Sequence, residues 1–320
     1  MPFTKSKPKA GRTVRKVLAD GTVKTYAYPP HKAAKAKLAA PDTIGALSAA
    51  WRRSPDWAAL APRTQVGYLV HLRDLELLAA VPVKAIRRKD IIAIRNAIAS
   101  KRGNGSGQAF VRTVGSAFRW AIDNDWLDAS PIFRMKALPS GALPAWTEAE
   151  AAYAMENLSE HLRRVVVLAL HTGQRRGDLC AMTWQQVAGG TIRLTQEKTK
   201  VALVIPVHPA LAEELQAWRV GATAVQILVK ANGQPWVPQW LSAALPYALQ
   251  RLGMRKSLNV HGLRKLAATR LAEAGCSVHE ISAITGHRTL AMVQRYTASA
   301  DQERLAGAAI TRLQTQPGRR

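Results

Sequence analysis

Apolar residues recur at helical spacing between residues 41 and 131. One predicted helix buries a face formed by Phe110, Val111, Val114, Ala117, Phe118, Ala121 and Ile122. Another buries Ile91, Ile94 and Ile98, and two more helical stretches cover residues 43–53 and 63–80. Pro55, Pro62 and Pro82 separate these stretches, and we interpret the glycine-rich segment 103–107 as a turn, because it follows no strand as a phosphate-binding loop does. The pattern therefore predicts a helical domain with four helices.

The pattern changes after residue 131. Two prolines and a glycine in residues 132–146, together with Pro131 just before them, are typical of an interdomain linker. Thr147 and Glu150 form a capping box that begins a helix, and most of residues 147–320 is again helical. One exception is a β-hairpin predicted from residues 191–195 and 201–207, with a polar turn between them. Further helices are predicted after Pro209 and after Pro238.

Residues 1–40 show a third pattern. Two β-favouring runs within residues 14–28 flank Asp20 and Gly21, which predicts a short hairpin. The segment is either a flexible basic tail or a small module that contacts DNA. The predicted fold class is mainly α: a helical domain, then a mostly helical domain with a small antiparallel β-sheet, preceded by a short N-terminal hairpin.

The composition indicates what kind of partner the protein binds. The chain of 320 residues has 46 Lys and Arg against 21 Asp and Glu, a formal net charge of +25. Residues 1–40 alone hold ten basic residues and one acidic residue. Such an excess of positive charge indicates a polyanionic partner, either nucleic acid or an anionic membrane surface. The membrane is the weaker alternative, because no predicted helix pairs a basic face with exposed large apolar residues.

Several other functions are disfavoured by the sequence. Cys180 and Cys276 are too few for a disulfide framework, and no Cys/His cluster suggests zinc. The first residues have no apolar core typical of a signal peptide, and the longest apolar run, residues 165–170, is too short to span a bilayer. No phosphate-binding GxxxxGK[ST] motif predicts ATP hydrolysis. We expect a cytoplasmic, reduced protein.

The candidate chemistry lies in the second predicted domain. His261 and Arg264 are three residues apart on one helix, so both can reach one bound group. A second capping box begins the next helix, which ends at Gly286; His287 follows directly, and Tyr296 comes nine residues later. Taken alone, each of these side chains has an ordinary structural explanation.

Upstream, Arg175 follows a glycine break and Asp178 comes three residues later. The Asp178 carboxylate is expected to orient the arginine through a charge-assisted pair. Lys198 lies in the predicted hairpin turn, and Lys200 is a competing candidate there. The order of these groups within about 120 residues is more informative than any one of them.

At these residues the chain resembles the tyrosine recombinase (phage integrase) family. The matching blocks are Thr172 to Leu179, Lys198 in the hairpin, His261 to Arg264, Gly286 with His287, and Tyr296; the end of the first helical domain, residues 121–131, is also similar. Three positions depart from the family pattern. Gln174 replaces a usual apolar residue, Lys265 a frequent histidine and Thr285 a frequent leucine.

The resemblance implies both fold and mechanism. Residues 41–131 resemble the SAM-like core-binding domain, residues 147–320 the catalytic domain, and residues 1–40 more loosely an arm-binding hairpin. Arg175 and Arg264 would neutralise phosphate charge, Lys198 would be the general acid, and Tyr296 the nucleophile. His261 would be the general base and His287 would hydrogen-bond the phosphate, although which histidine takes the proton stays open. No cofactor or metal is implied.

The resemblance also implies partners. These are double-stranded DNA recombination sites, three further copies of the chain in a homotetramer on DNA, and accessory DNA-bending proteins. A helix predicted at 302–314 either folds back on its own domain or docks on a neighbouring protomer. The alternatives for the function are a type IB topoisomerase and a non-catalytic DNA-binding protein on the same scaffold. Integration, excision and resolution of replicon dimers remain open.

Overall fold

The computed structural model describes residues 40–139, 141, 143–289, 293–294, 306–307 and 310–311, and the backbone of residues 13–17 and 23–27. The chain divides into two units, Met1–Gly141 and Ala142–Arg320. Among the residues described, no helix is long and apolar enough to cross a membrane.

An antiparallel hairpin lies near the N-terminus. Strands β1 (Thr13–Val17) and β2 (Val23–Ala27) pair in a register that places Arg15 opposite Thr25. This confirms the predicted strand pairing. The predicted turn at Asp20 and Gly21 lies outside the described residues.

The remaining described part of the first unit is helical. It contains α1 (Ile44–Trp51), α2 (Pro55–Ala58), α3 (Pro62–Leu75), α4 (Arg88–Arg102) and α5 (Asn104–Asp123). The predicted faces of α4 and α5 form the core: Ile91, Ile94, Ile98, Phe110, Val114 and Phe118 are all buried. The one-turn helix α2 was not predicted. It forms because Ser54 caps it, accepting a hydrogen bond from the Trp57 amide at 3.2 Å.

The prediction of a turn over residues 103–107 is wrong. Only Gly103, with φ of +84°, separates the helices, and residues 104–107 form the first turn of α5. Gly107 is required by packing, because a Cβ there would come within 2.9 Å of the Arg95 carbonyl oxygen on α4. Gly107 therefore allows the two helices to approach closely.

Residues 132–139 pack against the first unit. Arg88 donates hydrogen bonds to the carbonyls of Pro131 and Phe133 at 3.2 and 2.7 Å, and Ile132 is buried in the helical core. Trp146, in contrast, belongs to the second unit, where its indole donates to the Asn259 carbonyl at 2.9 Å. The domain limits 41–131 and 147–320, with the linker 132–146, stay predictions.

The second unit combines helices with a small sheet. Its described helices are α6 (Glu148–Asn157), α7 (Glu160–Thr172), α8 (Arg176–Ala181), α9 (Pro209–Arg219), α10 (Pro238–Arg251), α11 (Val260–Glu273) and α12 (Val278–Thr285). Strands β3 (Val187–Ala188), β4 (Thr191–Thr195) and β5 (Ala202–Pro206) form an antiparallel sheet in the order β3-β4-β5. The mainly α fold class is confirmed, and the two-residue strand β3 is an addition to the predicted hairpin.

Local sequence signals explain most helix boundaries in this unit. The capping boxes of Thr147 and Ser277 both form, and Pro209 and Pro238 occupy first helical positions. Helix α7 ends at Gly173 and α12 at Gly286, each glycine in the left-handed conformation. Because α7 packs against α11, and α11 against α12, these helix ends come together.

Candidate active site

Arg264 is the most deeply buried of the candidate residues. Only 2% of its surface is exposed. Its Nη1 donates to the carbonyl of Gly173 at 2.8 Å and to the carbonyl of Thr285 at 2.7 Å. A buried guanidinium is tolerated only where its protons have acceptors, and here the ends of α7 and α12 supply them. The side chain thus joins three helices at one point.

Arg175 is the N-cap residue of α8 and is partly buried. Its Nη1 donates to the amide oxygen of Gln196, at the end of β4, and to the Thr199 hydroxyl at 3.4 Å. Burial lowers the pKa of Arg175, and the nearby Asp178 carboxylate opposes that change. The guanidinium stays charged, because arginine does not lose its proton in proteins.

Asp178 has a different role from the one predicted. No ion pair joins the two described side chains of Arg175 and Asp178; instead Asp178 Oδ1 accepts a hydrogen bond from the Glu197 backbone amide at 2.9 Å. The prediction failed because a contact nineteen positions along the chain outweighs the local spacing. Asp178 therefore anchors the turn between β4 and β5, next to Lys198.

Lys198 lies on that turn and is exposed. Two hydrogen bonds to Gln196 hold the turn. Thr199 Oγ1 donates to Gln196 Oε1 at 2.6 Å, and the Lys200 amide donates to the Gln196 carbonyl at 2.9 Å. The positive charge of Lys198 contributes to lowering the pKa of His261, which places the lysine in the same electrostatic environment.

His261 is the second residue of α11 and its side chain is exposed to solvent. Partial desolvation lowers its pKa first, followed by the charges of Lys265, Arg264, Arg175 and Lys198. The imidazole is therefore neutral at physiological pH and able to accept a proton.

His287 follows the left-handed Gly286 at the end of α12 and is 8% exposed. Burial lowers its pKa to about 3, with further contributions from Arg264, Arg175 and His261. Its Nδ1 lies 2.7 Å from the hydroxyl of Thr285. The ring is thus neutral and fixed on one side.

A buried pair of amides, which was not predicted from the sequence, links these groups. Gln174 and Gln196 have no exposed surface; Gln196 Nε2 donates to Gln174 Oε1 at 2.7 Å and to the Thr285 carbonyl at 2.8 Å. Gln174 Nε2 donates to the carbonyls of Thr172 and Ile284. A signal was present, since Gln196 continues the inward alternation of Ile192 and Leu194 and a polar residue at such a position requires a partner.

The structure therefore brings together five of the predicted residues, Arg175, Lys198, His261, Arg264 and His287. Tyr296 lies outside the described residues, and so does most of the predicted helix 302–314. Two arginines, a lysine and two neutral histidines form a site suited to an anionic ester, where charge must be neutralised and protons moved. The fold and the site are therefore those expected of a protein that transfers phosphoryl groups.

Comparisons with known proteins narrow this class. Residues 146–303 match the phage integrase family. The integrase of Escherichia phage HK022 is 27% identical over 259 residues, which cover 76% of this chain and 72% of that protein. Tyrosine recombinase XerC of Mycobacterium tuberculosis is 26% identical over 260 residues, which cover 73% of this chain and 87% of XerC.

A solved structure shows the same fold. The lambda integrase tetramer bound to a Holliday junction superposes with a TM-score of 0.70 and 24% sequence identity, covering 79% of this chain and 77% of that chain. The chain belongs to the phage integrase family of tyrosine recombinases.

Proposed function

We propose that this protein is a site-specific DNA recombinase that cuts and rejoins strands through a covalent 3′-phosphotyrosyl intermediate, without ATP or a metal ion. The observation that supports this most strongly is the joining of Arg175 and Arg264 through Gln196 and the Thr285 carbonyl. This arrangement holds two permanent positive charges at one site before any DNA is bound.

The two arginines stabilise the transition state. Attack on a phosphodiester develops negative charge on its two non-bridging oxygens, and planar guanidinium groups match that geometry. The two guanidinium groups donate to backbone carbonyls and to a buried amide oxygen. Because these acceptors are already in place, the arginines need little reorganisation during the reaction.

The nucleophile is Tyr296. Its phenol, with an ordinary pKa of about 10, must transfer a proton to a base as its oxygen bonds to phosphorus. Either neutral histidine, His261 or His287, accepts that proton. The bond from phosphorus to the 5′ oxygen breaks, and Lys198 protonates the departing oxygen. The phosphotyrosyl ester keeps the bond energy, so a second 5′-hydroxyl reverses the same steps.

The partner is double-stranded DNA carrying a recombination site, and the assembly on DNA is a homotetramer. The net charge of +25 and the integrase–DNA complexes among the similar structures support this. A first assay does not need accessory DNA-bending proteins, because cleavage of one nicked site tests the chemistry alone.

Replacing the nucleophile tests the proposed function. Tyr296→Phe should abolish covalent adduct formation on a nicked suicide substrate and leave DNA binding near the wild-type level, because only one oxygen is lost. Tyr247→Phe, which changes an exposed tyrosine of α10, is the matched control and should still form the adduct. Adduct formation by Tyr296→Phe would assign the nucleophile elsewhere. Relaxation of supercoiled DNA without strand exchange by the wild type would instead favour the topoisomerase alternative.

A further inference from the structure

Thr285 makes two short side-chain contacts at the end of α12. It is completely buried, and its Oγ1 lies 2.6 Å from the Ile281 carbonyl oxygen and 2.7 Å from His287 Nδ1. Its backbone carbonyl accepts from Arg264 Nη1 and Gln196 Nε2, so the residue is held in place from a second direction. Both contacts of the hydroxyl are short enough to require a proton between the two atoms.

Counting protons assigns the direction of each hydrogen bond. A threonine hydroxyl has one proton, and a carbonyl oxygen has none to donate. The contact with Ile281 therefore uses the Thr285 proton. The contact with His287 must then use a proton on Nδ1, which donates to the hydroxyl oxygen.

The consequence concerns the other ring nitrogen. A neutral imidazole carries one proton, so a ring protonated at Nδ1 has a lone pair at Nε2. Burial and the nearby arginines keep His287 neutral, since they lower its pKa to about 3. An unprotonated Nε2 cannot donate to a phosphate oxygen; it accepts from a hydroxyl. This differs from the phosphate-binding role that the family resemblance implies for His287.

We propose that Thr285 is a positioning residue that fixes His287 as the Nδ1-protonated tautomer, so that Nε2 acts as the acceptor for a substrate or nucleophile hydroxyl. Leucine, frequent at this position in the family pattern, has no hydroxyl and cannot select a tautomer. The catalytic part of this inference rests on the proposed function, whereas the tautomer itself is a property of the free protein.

The tautomer can be measured directly in the full-length chain. Two-bond ¹H–¹⁵N correlation spectra of protein with ¹⁵N-labelled histidines distinguish protonated from unprotonated ring nitrogens. The chain has eight histidines, and the spectrum of His287→Gln identifies the His287 signals by their loss. We expect a protonated Nδ1 and an unprotonated Nε2 near neutral pH. A protonated Nε2 with an unprotonated Nδ1, or a ring protonated at both nitrogens, overturns the proposal.

Matched variants separate the hydroxyl from the packing. Thr285→Val keeps the shape and removes the hydroxyl, and we expect the His287 spectrum to lose the pure Nδ1-protonated form. Thr285→Ser keeps the hydroxyl and should retain the wild-type spectrum. An unchanged tautomer in Thr285→Val overturns the positioning role. If Thr285→Val does not fold, the wild-type and Thr285→Ser spectra still decide the tautomer.

Cleavage of the nicked substrate then tests the consequence for catalysis. Thr285→Val should slow adduct formation on the order of tenfold to a hundredfold, as is typical when a group that orients a functional histidine is removed. Thr285→Ser should recover most of that loss. If the wild type forms no adduct but has the expected tautomer, the proposed function fails and the tautomer assignment stands. If the adduct forms but His287 is protonated at Nε2, the proposed function stands and the tautomer assignment fails.

Discussion

Lys198 differs from the two arginines of the site in how it is held. Arg175 and Arg264 donate to fixed acceptors, whereas the Lys198 side chain is exposed on a turn that is itself anchored. A group that must deliver a proton to a departing oxygen needs such freedom, while groups that stabilise charge are more effective when rigid. The two kinds of cation therefore suit different steps.

Lys198→Ala should slow cleavage of ordinary DNA by about 10²–10⁴-fold, the usual contribution of a general acid. A substrate whose 5′ bridging oxygen is replaced by sulfur needs no acid, because a thiolate leaves readily. The variant should therefore cleave that substrate at nearly the wild-type rate in a single-turnover gel assay. Lys200→Ala is the paired control; rescue of that variant instead of Lys198→Ala would exchange the two assignments.

His287 should also make stability depend on pH. Its pKa is near 6.5 in the unfolded chain and about 3 in the folded one, so the unfolded state binds more protons between these values. Stability is then complete above the unfolded pKa and is lost as the pH falls. Between about pH 7.5 and about pH 5, the wild type should lose about 2 kcal/mol of unfolding free energy that His287→Gln does not lose.

Urea denaturation at the two pH values measures this difference. His279→Gln, which changes an exposed histidine of the neighbouring helix α12, is the control and should behave like the wild type. Equal pH dependence in the wild type and His287→Gln would contradict a neutral His287 in the folded state.

At the scale of elements, the site lies where one sheet turn meets two helix ends. The amide of Gln196 reaches Thr285 and Gln174, so β4 is tied to α12 and to the segment after α7. This requires close approach at Gly286, where an added Cβ would lie 2.6 Å from Gln196 Cδ. The glycine thus serves the helix end and the amide contact at once.

Gly286→Ala should lower the free energy of unfolding by more than backbone strain alone. Gly286 and Gly190 share φ of +70°, but an added Cβ at Gly190 meets no atom within 4 Å. Gly190→Ala therefore measures the left-handed strain, about 1–2 kcal/mol, and Gly286→Ala should add about 1–3 kcal/mol for overpacking. Thermal unfolding of both variants measures the loss of unfolding free energy in each. Equal losses would show that the Gln196 side chain moves aside without a measurable loss of stability.

Local signals in the sequence predicted the elements better than the contacts among them. Apolar periodicity gave α4 and α5, and capping residues gave the starts of α6 and α12. The Gln174–Gln196 pair and the hydrogen bond from the Glu197 amide to the Asp178 carboxylate join residues about twenty positions apart, and no local pattern specifies these partners. The same applies to the close approach of Gly107 to the Arg95 carbonyl on α4, in the segment 104–107 that forms helix and not the predicted turn.

At the scale of the whole molecule, charge and assembly dominate. A net charge of +25 predicts DNA affinity that falls steeply as salt rises, because phosphate contacts release counterions. Such contacts position the protein without selecting a sequence. Strand exchange between two sites further requires several protomers, and the proposed tetramer supplies them.

Deleting residues 300–320 should leave binding to a single site unchanged and abolish pairing of two sites. The reason is that the predicted helix 302–314 docks on a neighbouring protomer in the proposed assembly. Deleting only residues 315–320 is the control, since it removes terminal basic residues and leaves that helix. Mobility-shift assays with one and two sites measure both steps; unchanged recombination after the longer deletion would mean that the helix folds back on its own domain.

The anchoring of the β4–β5 turn by Asp178 has a consequence for the direction of the reaction, that is, for cutting against rejoining. Arg175 directly precedes helix α8, which carries Asp178, so this short helix positions both a phosphate-binding charge and the turn that bears the proposed acid. By microscopic reversibility, the lysine that gives a proton to the departing 5′ oxygen takes one from the incoming 5′-hydroxyl. Because Arg175 adjoins α8 and the turn that bears Lys198 is hydrogen-bonded to the same helix, one arrangement of these groups serves both cutting and rejoining. Any preference for product over substrate must therefore arise in the DNA and the assembly around it.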